Sequence, residues 1–344
     1  MLADMKVRDL PTPVLTVDGP ALEHNLATMA RALPGTRCRP HVKAHKCTTL
    51  ARHQREVGHP GFTCATPREV IGMAAAGLGE DLLLANQSVE PGRLRAMAEL
   101  DARVTIAIDS DATIDAAARA GLRECLVDVN VGMPRCGCAP DHAGALADRA
   151  RAAGLDVRGV MGYEGHVVGV VDRAQRERQT AEAMEQLAIA HAAVGGDIVS
   201  AGGTGTFVIN TFATEIQAGS YALMDTAYSS EADLPFRPTL ALVATVISVN
   251  AGDGFAVADC GLKSLGMDHG NPDIEGHTVW FCSDEHTTFS PADGAALPTV
   301  GDRVTVRPAH VDPTVAYHDQ LRVTDGPDLD ADVLEAWAVD LRGW

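Results

Sequence analysis

Aromatic residues are scarce, at 4 % of the sequence, so a packed interior has to be built from Ala, Val, Leu and Ile. No apolar run approaches the roughly 20 residues that a membrane-spanning helix needs. Positive charge is in short supply as well. Against 46 Asp and Glu stand 28 Lys and Arg, and the resulting net charge of −18 argues against nucleic acid or an anionic membrane as partner. No Cys-x-x-Cys pair occurs, and Cys136-Gly-Cys138 is too tightly spaced for a zinc knuckle. Eight cysteines spread over 344 residues do not form a disulfide framework and read as reduced thiols. The opening residues, MLADMKVRDLPTP, lack the apolar core of a secretory signal, so a cytoplasmic location is expected.

What is present is a repeat. The hydrophobic fraction of 46 % supports a packed interior, and the length suits one large domain with a smaller one. Short apolar runs alternate with Ala-rich helical stretches. The runs are CRPHVK (38–43), GFTCA (61–65), DLLLA (81–85), VTIAID (104–109), ECLVDVNV (124–131), DVRGVMGY (156–163), DIVSAG (197–202) and SYALMD (220–225). Strands alternating with helices imply parallel pairing, and eight such units predict a (β/α)8 barrel, with a doubly wound open sheet as the alternative. The barrel is assigned to residues 20–235. Before it, PVLTV (13–17) predicts a strand, and after about residue 236 the pattern predicts strands joined by Gly- and Asp-rich turns, without helices. Residues 1–19 and 236–344 are therefore assigned to a mostly-β domain.

Polar residues collect at the C-terminal ends of the barrel strands, where such barrels place their active sites. They include Lys43, Thr66, Arg68, Asn86, Gln87, Asp109, Arg135, Tyr163, His166 and Asp225. The glycine-rich turn SAGGTGTF (200–207) follows the seventh run. It suits an anion, with hydroxyl donors from Thr204 and Thr206, and AGSY (218–221) is placed to complete the cup. Lys43 lies on a desolvated strand near Lys46 and two histidines, surroundings expected to lower its pKa toward the neutral amine that a Schiff base requires. Pairing with an acid such as Asp109 or Asp225 is the alternative. A lysine facing a phosphate cup across a barrel mouth suggests pyridoxal phosphate. His310 and Asp312, two apart on an expected strand, would share a face and suit a divalent metal, or else form a plain hydrogen-bonded pair.

The segments TPVLTVD, RPHVKAHK, FTCATPREV, LLANQ, VDVNVGMPRCG, GYEGH, GGTGTF, GSYALMD and AHVDPTVAYHD together resemble the D-threonine aldolase / D-serine dehydratase family, in nearly the whole chain and in order. These are fold-type III pyridoxal-phosphate enzymes with an alanine-racemase-like barrel. The resemblance implies that Lys43 bonds the cofactor and that Gly203, Thr204, Gly219 and Ser220 hold its phosphate. It implies Arg135 near the phenolic oxygen, Tyr163 near the ring, His166 as an acid–base group facing substrate, and His310 and Asp312 as metal ligands. Asp312 stands where the dehydratase branch typically has Cys; a hard oxygen ligand favours Mn²⁺ or Mg²⁺, with Zn²⁺ possible. Ala316 replaces an Asn common among relatives, and His286 is a further residue for the substrate cleft.

The implied activity is metal-dependent cleavage of a small D-3-hydroxy amino acid to glycine and an aldehyde, by a homodimer. The alternatives are β-elimination of D-serine or 3-hydroxyaspartate to ammonia and a 2-oxo acid, racemisation, a non-catalytic cofactor-binding module, and a metal hydrolase without pyridoxal phosphate.

Overall fold

The structure, a computed structural model, describes residues 5–229, 234–292 and 294–344. Residues 1–4, part of the segment assigned to the β domain, lie outside the described residues. The chain enters through β1 (Val14–Asp18) and α1 (Gly19–Ala32). The Asp18 carboxylate caps α1 by accepting from Ala21 N, Pro20 occupies the first turn, and Leu22, Leu26 and Met29 are buried on one face.

Seven parallel strands follow in chain order: β2 (Gly61–Cys64), β3 (Asp81–Leu84), β4 (Val104–Ile108), β5 (Glu124–Asp128), β6 (Asp156–Gly162), β7 (Ile198–Ala201) and β8 (Glu215–Ile216). Helices α2 (Thr48–Glu56), α3 (Pro67–Ala75), α4 (Pro91–Ala98), α5 (Asp111–Ala120), α6 (Ala143–Ala152) and α7 (Arg173–Val194) alternate with them. This is a TIM-like barrel, but two of the eight expected strands take another form. Residues 38–41 make only isolated parallel bridges, Cys38 to Ile216 and His41 to Thr63. Through Arg39 N to Ile216 O (2.9 Å) and Thr63 N to Pro40 O (2.9 Å) they join β8 to β2 and close the barrel. Pro40 has no N–H to extend a ladder, and the chain coils at once into a 3-10 turn over Val42–Ala44 that carries Lys43. SYALMD is likewise not the eighth strand. It begins with a 3-10 turn at Ser220–Ala222, Met224 takes the left-handed region at φ 54°, and β8 lies upstream as two residues, too short to leave a pattern.

Two layers fill the barrel below its mouth. At the N-terminal ends of the strands lies an ionic layer. Arg39 pairs with Asp81 (2.8 Å) and Glu215 (2.8 Å), and Arg158 pairs with Asp81 (2.8 Å). Above it, Leu83, Ala107, Leu126 and Met161 form a dry layer that separates these charges from the mouth.

The remaining strands are β9 (Leu240–Asn250), β10 (Phe255–Ala258), β11 (Asp273–Ile274), β12 (His277–Cys282), β13 (Thr287–Pro291), β14 (Arg303–Arg307), β15 (Gln320–Thr324) and β16 (Val333–Ala338). They form one sheet in the order β10-β13-β12-β11-β14-β9-β1-β15-β16, with β10 also paired to β9. β1 sits inside it, antiparallel to β9 and parallel to β15. α8 (Thr226–Ser229) follows the barrel, and α9 (Val311–Ala316) interrupts the all-strand pattern expected after residue 236. No helix among the described residues is long and apolar enough to cross a membrane.

The ionic layer sets a stability prediction. Burial pushes the Asp81 carboxyl's pKa up, but Arg158 and Arg39 outweigh it and hold the group well below the usual carboxylate range. A depressed folded-state pKa contributes stability above the unfolded value and loses it as pH falls. Asp81→Asn leaves two arginines short of a counter-charge and is expected to cost about 3–5 kcal/mol at pH 7 in urea unfolding. Its deficit against wild type should narrow as pH falls below about 4; a constant deficit would contradict the linkage.

Candidate active site

Above the dry layer lies a cavity of ≈ 250 Å³, lined by His41, Lys43, Asn86, Arg135, Tyr163, Gly203, Thr204, Gln217, Gly219 and Ser220 among others. Lys43 approaches from the 3-10 turn after the closing segment. Its side chain is 42 % exposed, into the cavity. The acid it meets is neither Asp109 nor Asp225: its Nζ forms an ion pair with Asp312 from the other domain. The expectation of a lowered pKa is therefore reversed. Burial pushes the Lys43 pKa down, but the Asp312 charge outweighs it and the ammonium is favoured. The expected help from protonated histidines is absent. Burial holds His41 well below its usual value and brings His45 down to about 4, so both rings are neutral. Lys46 is paired with buried Glu69.

The opposite wall is made by two glycine turns. Thr204 and Ser220 each open a 3-10 turn, which leaves first-turn N–H groups without an acceptor inside the turn. Tyr221 N donates to Thr204 Oγ1 (3.0 Å), tying the turns together. A side-chain carbon at Gly219 would lie 2.8 Å from the His41 carbonyl, so only glycine lets this turn reach the lysine turn. Behind the wall, buried Glu164 accepts from Gly202 N (3.0 Å), Thr206 Oγ1 (2.9 Å) and Asn210 Nδ2 (2.9 Å). The Thr206 hydroxyl, expected to serve an anion, is committed to Glu164. A lysine amine facing a glycine cradle in one cavity fits the donor set that pyridoxal phosphate requires.

Arg135 lies with its Cζ 5.5 Å from the Tyr163 ring centroid, within cation–π range. Burial raises the Tyr163 pKa despite nearby Lys43 and Arg135, so the phenol stays protonated. His166 is exposed on the turn after β6, beside Gly132 and outside the cavity lining. His286 is exposed and also outside it. Thr66 caps α3, Arg68 binds the Asp340 and Arg342 carbonyls, and Gln87 binds Asp128. These three are structural, whereas Asn86 lines the cavity.

His310 and Asp312 are not on a strand. His310 is the N-cap of α9 and Asp312 lies in its first turn, so the helix rather than strand alternation brings them together. Asp225 fixes this helix from the barrel side, accepting from Val311 N (3.0 Å). His310 Nε2 is 3.9 Å from Asp312 Oδ1. That oxygen is buried and has no hydrogen-bond partner among the described residues. One imidazole and one orphaned carboxylate oxygen at that spacing fit a divalent metal.

Sequence reasoning missed His41, Gln217 and Glu164. His41 was within the RPHVKAHK stretch, two residues before the lysine. Glu164, a carboxylate between Tyr163 and glycine directly after a strand, was the available signal for support behind the cup.

Residues 17–227 match the family model described as alanine racemase, N-terminal domain, and residues 239–324 match the putative serine dehydratase domain. The chain is 32 % identical over 358 residues to the D-threonine aldolase of an Arthrobacter species, covering 97 % of this chain and 93 % of that protein. It is 31 % identical over 376 residues to the 3-hydroxy-D-aspartate aldolase of Paracoccus denitrificans (strain Pd 1222), covering 99 % and 95 %. The crystal structure of D-threonine aldolase from Filomicrobium marinum superposes with a TM-score of 0.91 at 34 % identity, covering 97 % of this chain and 96 % of that one.

Beneath the cavity mouth, burial and the Asp109 charge, opposed by Gln87 and Arg135, leave the Asp128 carboxyl pushed up to about 6. A raised folded-state pKa contributes stability below the unfolded value and loses it as pH rises through 6. Asp128→Asn should therefore gain on wild type, by up to about 3 kcal/mol between pH 4 and pH 7 in urea unfolding. Parallel pH profiles of the two proteins would contradict this.

Proposed function

Because the chain belongs to the alanine-racemase-like family of pyridoxal-phosphate enzymes, with D-threonine aldolase among its relatives, we propose that it cleaves small D-3-hydroxy amino acids to glycine and an aldehyde. The observation that carries this reading is the position of Asp312. One of its oxygens faces the Lys43 amine and the other faces the His310 imidazole. An amine-handling group and a hydroxyl-binding pair side by side suit a substrate with amine and hydroxyl on adjacent carbons.

Lys43, Arg135, Tyr163, Gly203, Thr204, Gly219 and Ser220 are the residues we assign to hold pyridoxal phosphate, which when bound supplies the sink for electrons released at Cα. His310 and Asp312 would hold the divalent metal, Mn²⁺ or Mg²⁺ before Zn²⁺, and its chemistry there is Lewis acidity toward a hydroxyl. Cleavage then needs one net proton movement, from the substrate hydroxyl to Cα. His166, exposed on the turn after β6, is our candidate for taking the hydroxyl proton. Lys43, the amine that lines the cavity, is our candidate for delivering a proton at Cα. His41 stays neutral on the cavity wall and orients without adding charge. We read the protein as a homodimer, supported by Trp280 and Phe281 exposed together on β12.

Purified enzyme given D-threonine should yield glycine and acetaldehyde in equal amounts. Chelator should abolish turnover and Mn²⁺ should restore it, and Asp312→Ala should lower kcat/KM at least 100-fold, a loss of about 3 kcal/mol of barrier stabilisation. Ammonia and a 2-oxo acid from D-threonine, D-serine or 3-hydroxyaspartate would instead establish the dehydratase, and turnover indifferent to chelator would remove the metal from the account.

A further inference from the structure

We propose that Asp268 and His269 are positioning residues that aim His310 at the metal without ligating it, an inference that rests on the metal reading above. The His310 ring is held from two sides by the turn around residues 268–269. Its Nδ1 lies 2.7 Å from Asp268 Oδ2, and the His269 ring stacks on it at 4.0 Å between centroids and 9° between planes. The third side, Nε2, points toward the buried, unpartnered Asp312 Oδ1 at 3.9 Å.

An imidazole can offer Nε2 as a ligand only when its ring proton sits on Nδ1. A carboxylate accepting from Nδ1–H fixes that tautomer and makes the other nitrogen a better donor. His269 restrains the ring plane that a lone hydrogen bond leaves free to swivel. Backbone pairing of Gly266 with His310, and Gly266 N to Thr314 Oγ1 (2.8 Å), tie this turn to α9 and keep the three side chains in register.

A rival arrangement exists. Ligand atoms of Asp268, His269 and His310 all lie within 4.8 Å of one another, enough for an ion on the outer side. Two observations favour the inner side. His310 Nδ1, the nitrogen nearest that outer group, is already engaged by Asp268. The unsatisfied buried oxygen belongs to Asp312.

The test is Mn²⁺ titration of the cofactor-loaded protein by calorimetry, with free Mn²⁺ followed by electron paramagnetic resonance. Asp268→Ala should weaken Mn²⁺ binding 10–100-fold. Asp268→Asn, which keeps an acceptor carbonyl, should recover much of that loss, His269→Ala should weaken binding only a few-fold, and His310→Ala should abolish it. Wild-type affinity in Asp268→Ala would overturn the inference while leaving the metal reading intact. Loss of binding in His269→Ala as complete as in His310→Ala would overturn it too, by making His269 a ligand. Wild-type affinity in His310→Ala would overturn the metal reading and this inference with it.

Discussion

The site is organised around one ion pair that crosses between the two parts of the molecule, Lys43 from the barrel with Asp312 from α9. Taking two charges out of water is costly, and their mutual attraction compensates only when the geometry is held from outside. The structure supplies that hold on both sides. The lysine turn is packed against Gly219, while α9 is fastened by Asp225 accepting from Val311 N. Burial pulls the Asp312 pKa up, and the neighbouring cation Lys43, with His310, brings it back below the usual range, so the carboxylate is charged and its second oxygen is free for a cation.

This pair explains why the β sheet is more than an appendage. The barrel alone supplies an amine and an anion cradle. α9 adds a carboxylate that pairs with that amine, and an imidazole beside the carboxylate. Elsewhere the barrel keeps its charges apart by layering. The Arg39–Asp81–Arg158 cluster is buried at the opposite end, beneath Leu83, Ala107, Leu126 and Met161, where it stabilises the barrel without perturbing the site. Behind the glycine cradle, Glu164 plays a comparable supporting part, absorbing donors that a mobile loop would otherwise leave open.

Much of this was legible in the residues. Alternating apolar runs and Ala-rich helices gave the barrel, and RPHVKAHK and GGTGTF marked the two walls of the cavity. The departures have physical causes. Pro40 broke the ladder of an otherwise strand-like run, and a two-residue β8 has no periodicity to detect. A short helix at 311–316 is too brief to show a 3.6-residue pattern, so the sequence there reads as a strand, yet His310 and Asp312 are neighbours in either form. The Lys43 pKa departs from its local expectation because its counter-charge comes from 269 residues away, a separation that no local reading can bridge. Asp268 and His269, which we assign to holding the His310 ring, meet it only through the fold, and nothing in their own sequence spacing announces that.

The claim that Lys43 carries the cofactor can be tested directly. Lys6, Lys43, Lys46 and Lys263 are the lysines of the chain. Purified protein should be yellow, borohydride should bleach the band, and peptide mass spectrometry of the reduced protein should find the pyridoxyl group on Lys43 alone. A label on Lys46 or Lys263, or a colourless protein that takes up no pyridoxal phosphate, would contradict the account.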